Sequence, residues 1–390
     1  MNEKHSSCRP KPSTDEVTHL EYYDYYLPDC DIAQNPIDQR QLSRLLILDC
    51  DAPAGSPRGI QHRRFHRIVD YFEPGDCLVL NQTRVIPARL RGFKTPTGGA
   101  VEVFVTEIIN DNECRAMLRP GRRLRTGSEI AVVSQQRFEK MEGNPPDERI
   151  RQLRDDYLKV TVSAELNKGD FRVRFGEGTV LDNLHRYGSV PLPPYVTENL
   201  DDFNRYQTVY ATEPGSVAAP TAGLHFTESL LEEIRARGVD IVKLTLHVGE
   251  GTFQPVRHDD ITRHQMHSEY CEVTEDAAAS VRRCRDAGKR VFAVGTTAVR
   301  ALETAAQRGK VESFFGETEL FIYPGYRFKA VDALLTNFHL PRSTLLMLVS
   351  AFIGRDRIFA AYREARRRRY RFYSFGDAML LLPQRGEHSV

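Results

Sequence analysis

From Pro74 the texture of the chain changes, and this limits the fold more than any other feature. GDCLVLNQTRVIPARLRGF, GGAVEVFVTEI and CRAMLRPG alternate apolar and polar residues between glycine-rich turns. That period belongs to antiparallel strands, here predicted to form a small barrel. MEGNPPDERIRQLRDD reads as a long polar loop or insertion before strands resume at Tyr157 and Phe171. Beyond residue 180 strand and helix segments alternate instead. Thr227 caps a helix carrying Leu230, Leu231 and Ile234 on one face, with Gly238 at its end. In the strand VDIVKLTLHVG, Val242, Leu244, Leu246 and Val248 point one way and Lys243, Thr245 and His247 the other. RVFAV runs into GTT and the helix AVRALETAAQ, and LLTNFHLP runs into STLLMLVSAFI, capped by Ser343. Strand, polar turn and helix make an α/β layer that gathers its loops at the carboxyl ends of strands.

At 390 residues the chain is long enough for two or three domains. Residues 1–20 are polar, rich in Ser, Pro and Lys, and expected to be a disordered tail. The longest apolar run, Leu345 to Ile353, is too short to cross a bilayer, and the start resembles no signal peptide. A cytoplasmic protein is expected. Seven cysteines without CxxC pairs or zinc-ligand spacing fit reduced thiols. A net charge of +1 gives no global pull toward nucleic acid, so such a partner needs a local patch. Two runs qualify: RPGRRLR, with Arg119, Arg122, Arg123 and Arg125, and Arg355 to Arg371, with eight arginines against Asp356 and Glu364. On charge alone both are better read as solvated faces than as nucleic-acid contacts.

One stretch departs from the composition. EPGSVAAPTAGLHFTESLL has no Asp, Glu, Lys or Arg between Glu213 and Glu228, in a chain that is 27% charged. Its glycines, alanines and proline suit neither helix nor strand, so it is either a buried turn or a pocket floor. Histidines gather in the same half: His225 ends the neutral run, His247 ends a strand, and HDDITRHQMHSEY supplies His258, His264 and His267 beside Glu269. HxxH with acidic neighbours could ligate a metal, but it lacks the one-face helical spacing of HExxH, and no bound metal is expected. Hydrogen-bonded histidines that fix loops are the other reading. GTT at 295–297 lies where the N–H groups of a helix start could bind an anion.

Taken in order, NQTRVIPARL, YGSVPLPPY, RYQTVYATEPGSVAAPTAGLHFT, TLHVGEGTFQPVR, HQMHSEY, AVGTTAVRALE, FIYPGYRF, VDALLTNFHLPRSTLLMLVSAF and YRFYSFGDAM resemble the signature blocks of the S-adenosylmethionine:tRNA ribosyltransferase-isomerase (QueA) family of queuosine biosynthesis. The resemblance runs from about residue 20 to residue 382. It implies an α/β main domain with an inserted antiparallel β-barrel domain, here residues 21–73 and 180–390 around 74–179.

The activity it implies is transfer and isomerisation of the ribosyl group of S-adenosylmethionine (AdoMet) onto 7-aminomethyl-7-deazaguanine at the wobble position of a tRNA. Epoxyqueuosine is the product, and adenine and methionine leave. AdoMet is then a co-substrate, no cofactor stays bound, and a monomer without membrane contact is expected. Such a path needs a base beside the sulfonium, an acid for adenine and donors for an oxyanion. His225, His247, His267 and Glu269 are the catalytic candidates, with acid and base not distinguished. Pro220, Thr221, Ala222, Gly223, Leu224, Thr296, Thr297, Asn337 and His339 are the expected substrate-binding residues. Arg122, Arg123, Arg125, Arg366, Arg367 and Arg369 are the expected RNA contacts, with the modified base flipped from the anticodon loop. The alternatives are a metal-dependent hydrolase and a non-catalytic RNA-binding module.

Overall fold

The strand Cys77–Asn81, CLVLN, is buried at every residue. A strand apolar on both faces belongs inside a sheet covered by helices on both sides. In the computed structural model, which describes residues 14–51, 59–153, 156–167, 169–193, 195–196, 202–249, 251 and 256–384, it is a central strand of nine. Across the sheet the order is Phe314–Thr318, Glu269–Val273, Asp240–Leu246, Cys77–Asn81, Val291–Val294, Ala333–Asn337, Ala378–Leu382, Arg44–Asp49 and Ile60–Arg64. The four strands from Asp240–Leu246 to Ala333–Asn337 are mutually parallel, with Val79 opposite both Val242 and Ala293. Their carboxyl ends therefore open on one edge.

Side-chain alternation divides the core into two layers. Leu46, Leu48, Val79, Val242, Leu244 and Ala293 pack under helices Glu275–Asp286, Gly295–Ala305, Thr344–Ile353 and Arg355–Arg367. Ile47, Leu78, Leu80, Phe292 and Leu335 pack against helix Glu228–Ala236 and the turn Phe65–Tyr71. The expected caps are present: Thr227 Oγ1 accepts from Leu230 N and Ser343 Oγ from Leu346 N, each at 3.2 Å. Gly238 ends its helix at φ 81°, a conformation cheap only for glycine. Since Cys77–Asn81 connects through helix Glu228–Ala236 on one face and Val291–Val294 through Gly295–Ala305 on the other, the connections diverge at the carboxyl edge between these neighbouring strands. Open α/β sheets bind ligands in that crevice.

The second unit is a closed six-stranded antiparallel barrel, ordered Asp170–Phe175, Glu113–Arg119, Gly99–Ile108, Arg89–Thr95, Glu129–Val133 and Leu158–Asn167. Gly92 is required there, because a Cβ would fall 2.3 Å from Ala131 O on the next strand. The chain enters the barrel from the carboxyl end of Cys77–Asn81, so the inserted unit rises from the ligand-binding edge.

Three expectations are corrected. The insertion does not begin at Pro74: Cys77–Asn81 belongs to the central sheet, and the barrel core starts at Ile86. Nor does it end at 179, since Val180, Leu184 and Tyr187 of helix Val180–Tyr187 complete that core. The polar stretch is not a loop but part of two helices, Gln135–Glu142 and Pro146–Leu153, held to the barrel's outer face by Phe138, Met141 and Leu153. Of the supposed tail, residues 14–20 are ordered, with Leu20 buried and its N–H donating to Asp259 O; residues 1–13 lie outside the described part.

Candidate active site

The uncharged run is the path back from the barrel across the carboxyl edge of the sheet. Glu213–Ser216 pairs in parallel with Thr83–Val85, and Thr221–His225 then forms one tight helical turn before Thr227 starts its helix. Small residues are needed because the turn is hemmed in. A Cβ on Gly223 would fall 2.0 Å from Tyr210 Oη and 2.8 Å from Thr208 Cγ2. Ala222 is buried and its Cβ lies close to Gly295. The stretch is thus a buried turn and also one wall of a cleft.

Pro220, Thr221 and Ala222 face Thr296 and Thr297 from the helix after Val291–Val294, with Asn337 and His339 from the end of Ala333–Asn337. Tyr206, Tyr373 and Ser374 close the opposite side. Among the described residues the lining contains no Asp, Glu, Lys or Arg. At the start of helix Gly295–Ala305, Thr297 Oγ1 is buried with no hydrogen-bond partner, beside main-chain N–H groups that have none within the helix. Together they form a donor set aimed at a ligand.

His225 lies under this wall, at the end of a hydrogen-bond chain. Thr221 Oγ1 donates to Asn337 Oδ1 at 3.0 Å, Asn337 Nδ2 reaches His225 Nε2 at 3.4 Å, and His225 Nδ1 meets Ser43 Oγ at 2.8 Å. The amide donor at Nε2 assigns the ring proton to Nδ1, which donates to Ser43. Phe65 stacks on the imidazole, centroids 4.9 Å apart. Burial, then the charges of Arg40 and Arg371, push the His225 pKa down to about 3. His339 is pushed down to about 3 by burial; its Nε2 meets Thr336 Oγ1 at 2.8 Å and its N–H donates to Tyr362 Oη. Both are neutral at ordinary pH, and among the described residues the cleft carries no fixed charge.

The other candidates lie elsewhere. Leu224 and His225 face a smaller adjoining hollow, and Gly223 is wedged behind the wall. His247 points away from the cleft while Val248 lines it, as strand alternation requires. Its Nδ1 meets Thr83 Oγ1 at 2.7 Å and its ring lies against Gly215 and Tyr270. His267 is exposed, its ring against Gly251, and outside the cleft lining. Glu269 is buried and ion-paired with Arg300, while its Oε1 accepts from Gly249 N at 3.0 Å. That geometry makes it an anchor of the Gly249 turn rather than a free base; the rest of the GEGTF turn, apart from Gly251, lies outside the described residues. Among the described residues no group of three or more His, Cys, Asp or Glu is placed to hold a metal ion.

Arg122, Arg123 and Arg125 are exposed at the barrel end away from the domain connections. A seven-residue strand, Arg89–Thr95, puts that end roughly 20 Å farther out. Arg366 is half-buried, paired with Asp31 at 3.1 Å and lying over the Tyr26 ring, and Arg367 is paired with Glu364; Arg369 is exposed. Sequence reasoning missed Ser43, Tyr206, Tyr373 and Ser374. Ser43 carries no motif, but YSFGD stands in a signature block, and Tyr373 holds φ 73°, a conformation rare for a bulky residue.

A family model described as queuosine biosynthesis protein matches residues 20–381. The S-adenosylmethionine:tRNA ribosyltransferase-isomerase of Pelotomaculum thermopropionicum is 47% identical over 93% of this chain and 100% of its own length. That of Symbiobacterium thermophilum is 48% identical over 93% and 99%. The crystal structure of S-adenosylmethionine tRNA ribosyltransferase from Thermotoga maritima, 35% identical, covers 92% of this chain and 99% of its own, with a TM-score of 0.50. With its sheet, barrel and cleft arranged in the order of those matched blocks, the chain belongs to the queuosine biosynthesis protein family.

Proposed function

We propose that this chain transfers and isomerises the ribosyl group of AdoMet onto 7-aminomethyl-7-deazaguanine at the wobble position of tRNA, releasing adenine and methionine. Its family membership and full-length relatives support the reaction class. The observation in the structure that carries the reading is the uncharged cleft at the carboxyl edge of the parallel strands. AdoMet brings a flat adenosine and a sulfonium cation. A wall whose described residues carry no carboxylate gives that cation little stabilisation in the ground state, whereas loss of a proton from the carbon beside the sulfonium gives a neutral ylide. Interactions that favour the later state over the earlier one are those that accelerate a reaction.

In this reading Pro220 to Ala222 press on the adenosine, and Thr297 Oγ1 with the helix N–H groups receives an anionic or carbonyl oxygen of the substrate. His225, its Nδ1–H fixed by Ser43, keeps the Nε2 lone pair toward Asn337 and the cleft. The Nε2 contact is the longest in its chain and the easiest for a substrate proton to replace. The cleft encloses about 60 Å³, against several hundred Å³ for small-molecule sites, so AdoMet must part the Tyr373–Ser374 loop from the Thr221 turn. Incubation with AdoMet and tRNA carrying the deazaguanine base tests the reading: adenine and methionine should appear only with both present. Methylated RNA with S-adenosylhomocysteine would overturn it.

A further inference from the structure

Beyond His225 the charge reverses. The adjoining hollow meets the cleft at Ser374 and is lined by Pro36, Ile37, Arg40, Arg205 and Leu224 with His225. The charge of Arg371 reaches the same imidazole, and its guanidinium donates to Asn35 O, next to Pro36 of the hollow. Among the described residues these guanidiniums donate only to main-chain carbonyls: Arg40 to Gln207 O at 2.7 Å and Asn204 O at 2.9 Å, Arg205 to Asp38 O at 2.9 Å and to Ile37 O, and Arg371 to Asn35 O. Among the described residues none of the three makes an ion pair. The acids whose charges reach them form no ion pair with them: Asp377, near Arg371, binds Arg44, and Asp202, near Arg40, accepts from Asn204 N. Arg205 Nε is buried with no partner. Burial and then the Arg205 charge lower the Arg40 pKa, the mark of like charges held together.

Half-buried like charges with a spare buried donor are costly unless an anion joins them. The anion's nature is indicated next door. Phe203, on the same short turn as Arg205, is 47% exposed. A free aromatic face beside guanidiniums is how single-stranded RNA is held, by stacking a base and gripping its phosphate. Resting on the reaction proposed above, the base that enters the cleft carries its own phosphates to the cleft mouth.

We propose that Arg40, Arg205 and Arg371 clamp the phosphodiester next to the flipped deazaguanine nucleotide, with Phe203 stacking the adjacent base, and thereby position the RNA for reaction. The test uses a short anticodon stem–loop bearing the deazaguanine base, with a neutral methylphosphonate replacing each flanking phosphate in turn. One replacement should lower wild-type kcat/KM for RNA by about tenfold to a hundredfold, with KM for AdoMet unchanged. Arg205→Gln should show that loss with the all-phosphate substrate and lose little more with the methylphosphonate; Arg205→Lys should recover part. Phe203→Ala should raise KM for RNA alone. Should Arg205→Gln melt early, the substrate replacement on wild type still decides. Insensitivity of wild type to every methylphosphonate, or undiminished sensitivity in folded Arg205→Gln, overturns the clamp. A wild type that releases no adenine from AdoMet in the presence of the all-phosphate, deazaguanine-bearing stem–loop instead overturns the proposed reaction.

Discussion

Two neutral, buried histidines should make this fold sensitive to mild acid by a calculable amount. His225 and His339 have folded pKa values pushed down to about 3, by burial foremost, while unfolded histidine titrates near about 6.5. Below that value the unfolded chain takes up protons that the folded sites refuse, so stability is full above about pH 6.5 and falls as pH falls toward about 3. Each pKa unit is worth about 1.36 kcal/mol, so between about pH 7 and about pH 5 each histidine costs about 2 kcal/mol and the pair about 4. That is a large share of a typical stability of about 5–15 kcal/mol. Urea unfolding followed by far-UV circular dichroism gives the readout, since the chain has no Trp. Two units can unfold separately, and only the α/β transition should respond. His225→Asn keeps a donor toward Ser43 and His339→Gln one toward Thr336, so each should remove about half of the acid loss. Other histidines titrate as well, which makes the difference from wild type the decisive quantity. If the double variant loses as much stability as wild type over this range, both imidazoles are protonated in the fold and the neutral-cleft argument fails.

Ala222→Leu should block the cleft and overpack the turn against Gly295, raising KM for AdoMet and lowering stability by about 1–3 kcal/mol; normal AdoMet binding by the folded fraction would remove Ala222 from the substrate wall. Arg300→Met takes the guanidinium away from buried Glu269 and should cost about 3–5 kcal/mol by urea unfolding, with Arg300→Met/Glu269→Gln recovering part. A loss below about 1 kcal/mol would mean that water reaches the pair. Of the basic runs, Arg367→Gln/Arg369→Gln, beside the cleft loop, should flatten the salt dependence of tRNA binding by about one unit of log slope per lost phosphate contact. Arg122→Gln/Arg123→Gln/Arg125→Gln tests the same for the distant barrel end, and an unchanged slope in either set makes that set a solvated face.

The elements legible in the sequence were those whose signals are local. Thr227 and Ser343 announce helix starts because a hydroxyl three residues before an N–H is enough to satisfy it. What depends on distant partners was not legible. Helices Gln135–Glu142 and Pro146–Leu153 expose so much charge that their apolar anchors do not stand out, and they are held to the barrel by distant contacts, Phe138 stacking on Phe93 and Leu153 packing into the same cluster. Strand alternation put Val248 and His247 on opposite faces, but only the crossovers decide which face meets the cleft. Glu269 resembles a catalytic acid until Arg300, on another element, claims it. Ser43 orients the histidine from a segment with no motif, since one hydrogen bond to Nδ1 asks for a hydroxyl and nothing more.

The sorting of charge on either side of His225 has a consequence for the order of events. The charges acting on this imidazole are Arg40 and Arg371, after burial; Ser43, Phe65 and Asn337, which touch it, carry none. A phosphate clamped by those arginines would offset their field at the ring, and a negative charge nearby favours the protonated form, so the His225 pKa should rise when RNA binds. A base held far below neutral pH is a poor proton acceptor, and one moved back toward it is a better one. With His225 as the base proposed above, RNA binding would arm it, and AdoMet alone should be spared from wasteful adenine loss. Imidazole proton NMR of histidine-labelled protein, with the His225 signal identified by its absence in His225→Asn, measures the titration free, with AdoMet, and with the stem–loop in both backbone forms. The pKa should rise with the phosphate stem–loop and rise less with the methylphosphonate. An equal rise with both backbones would trace the change to the entering base instead of the clamped phosphate, and no rise at all would leave the imidazole insulated from Arg40 and Arg371.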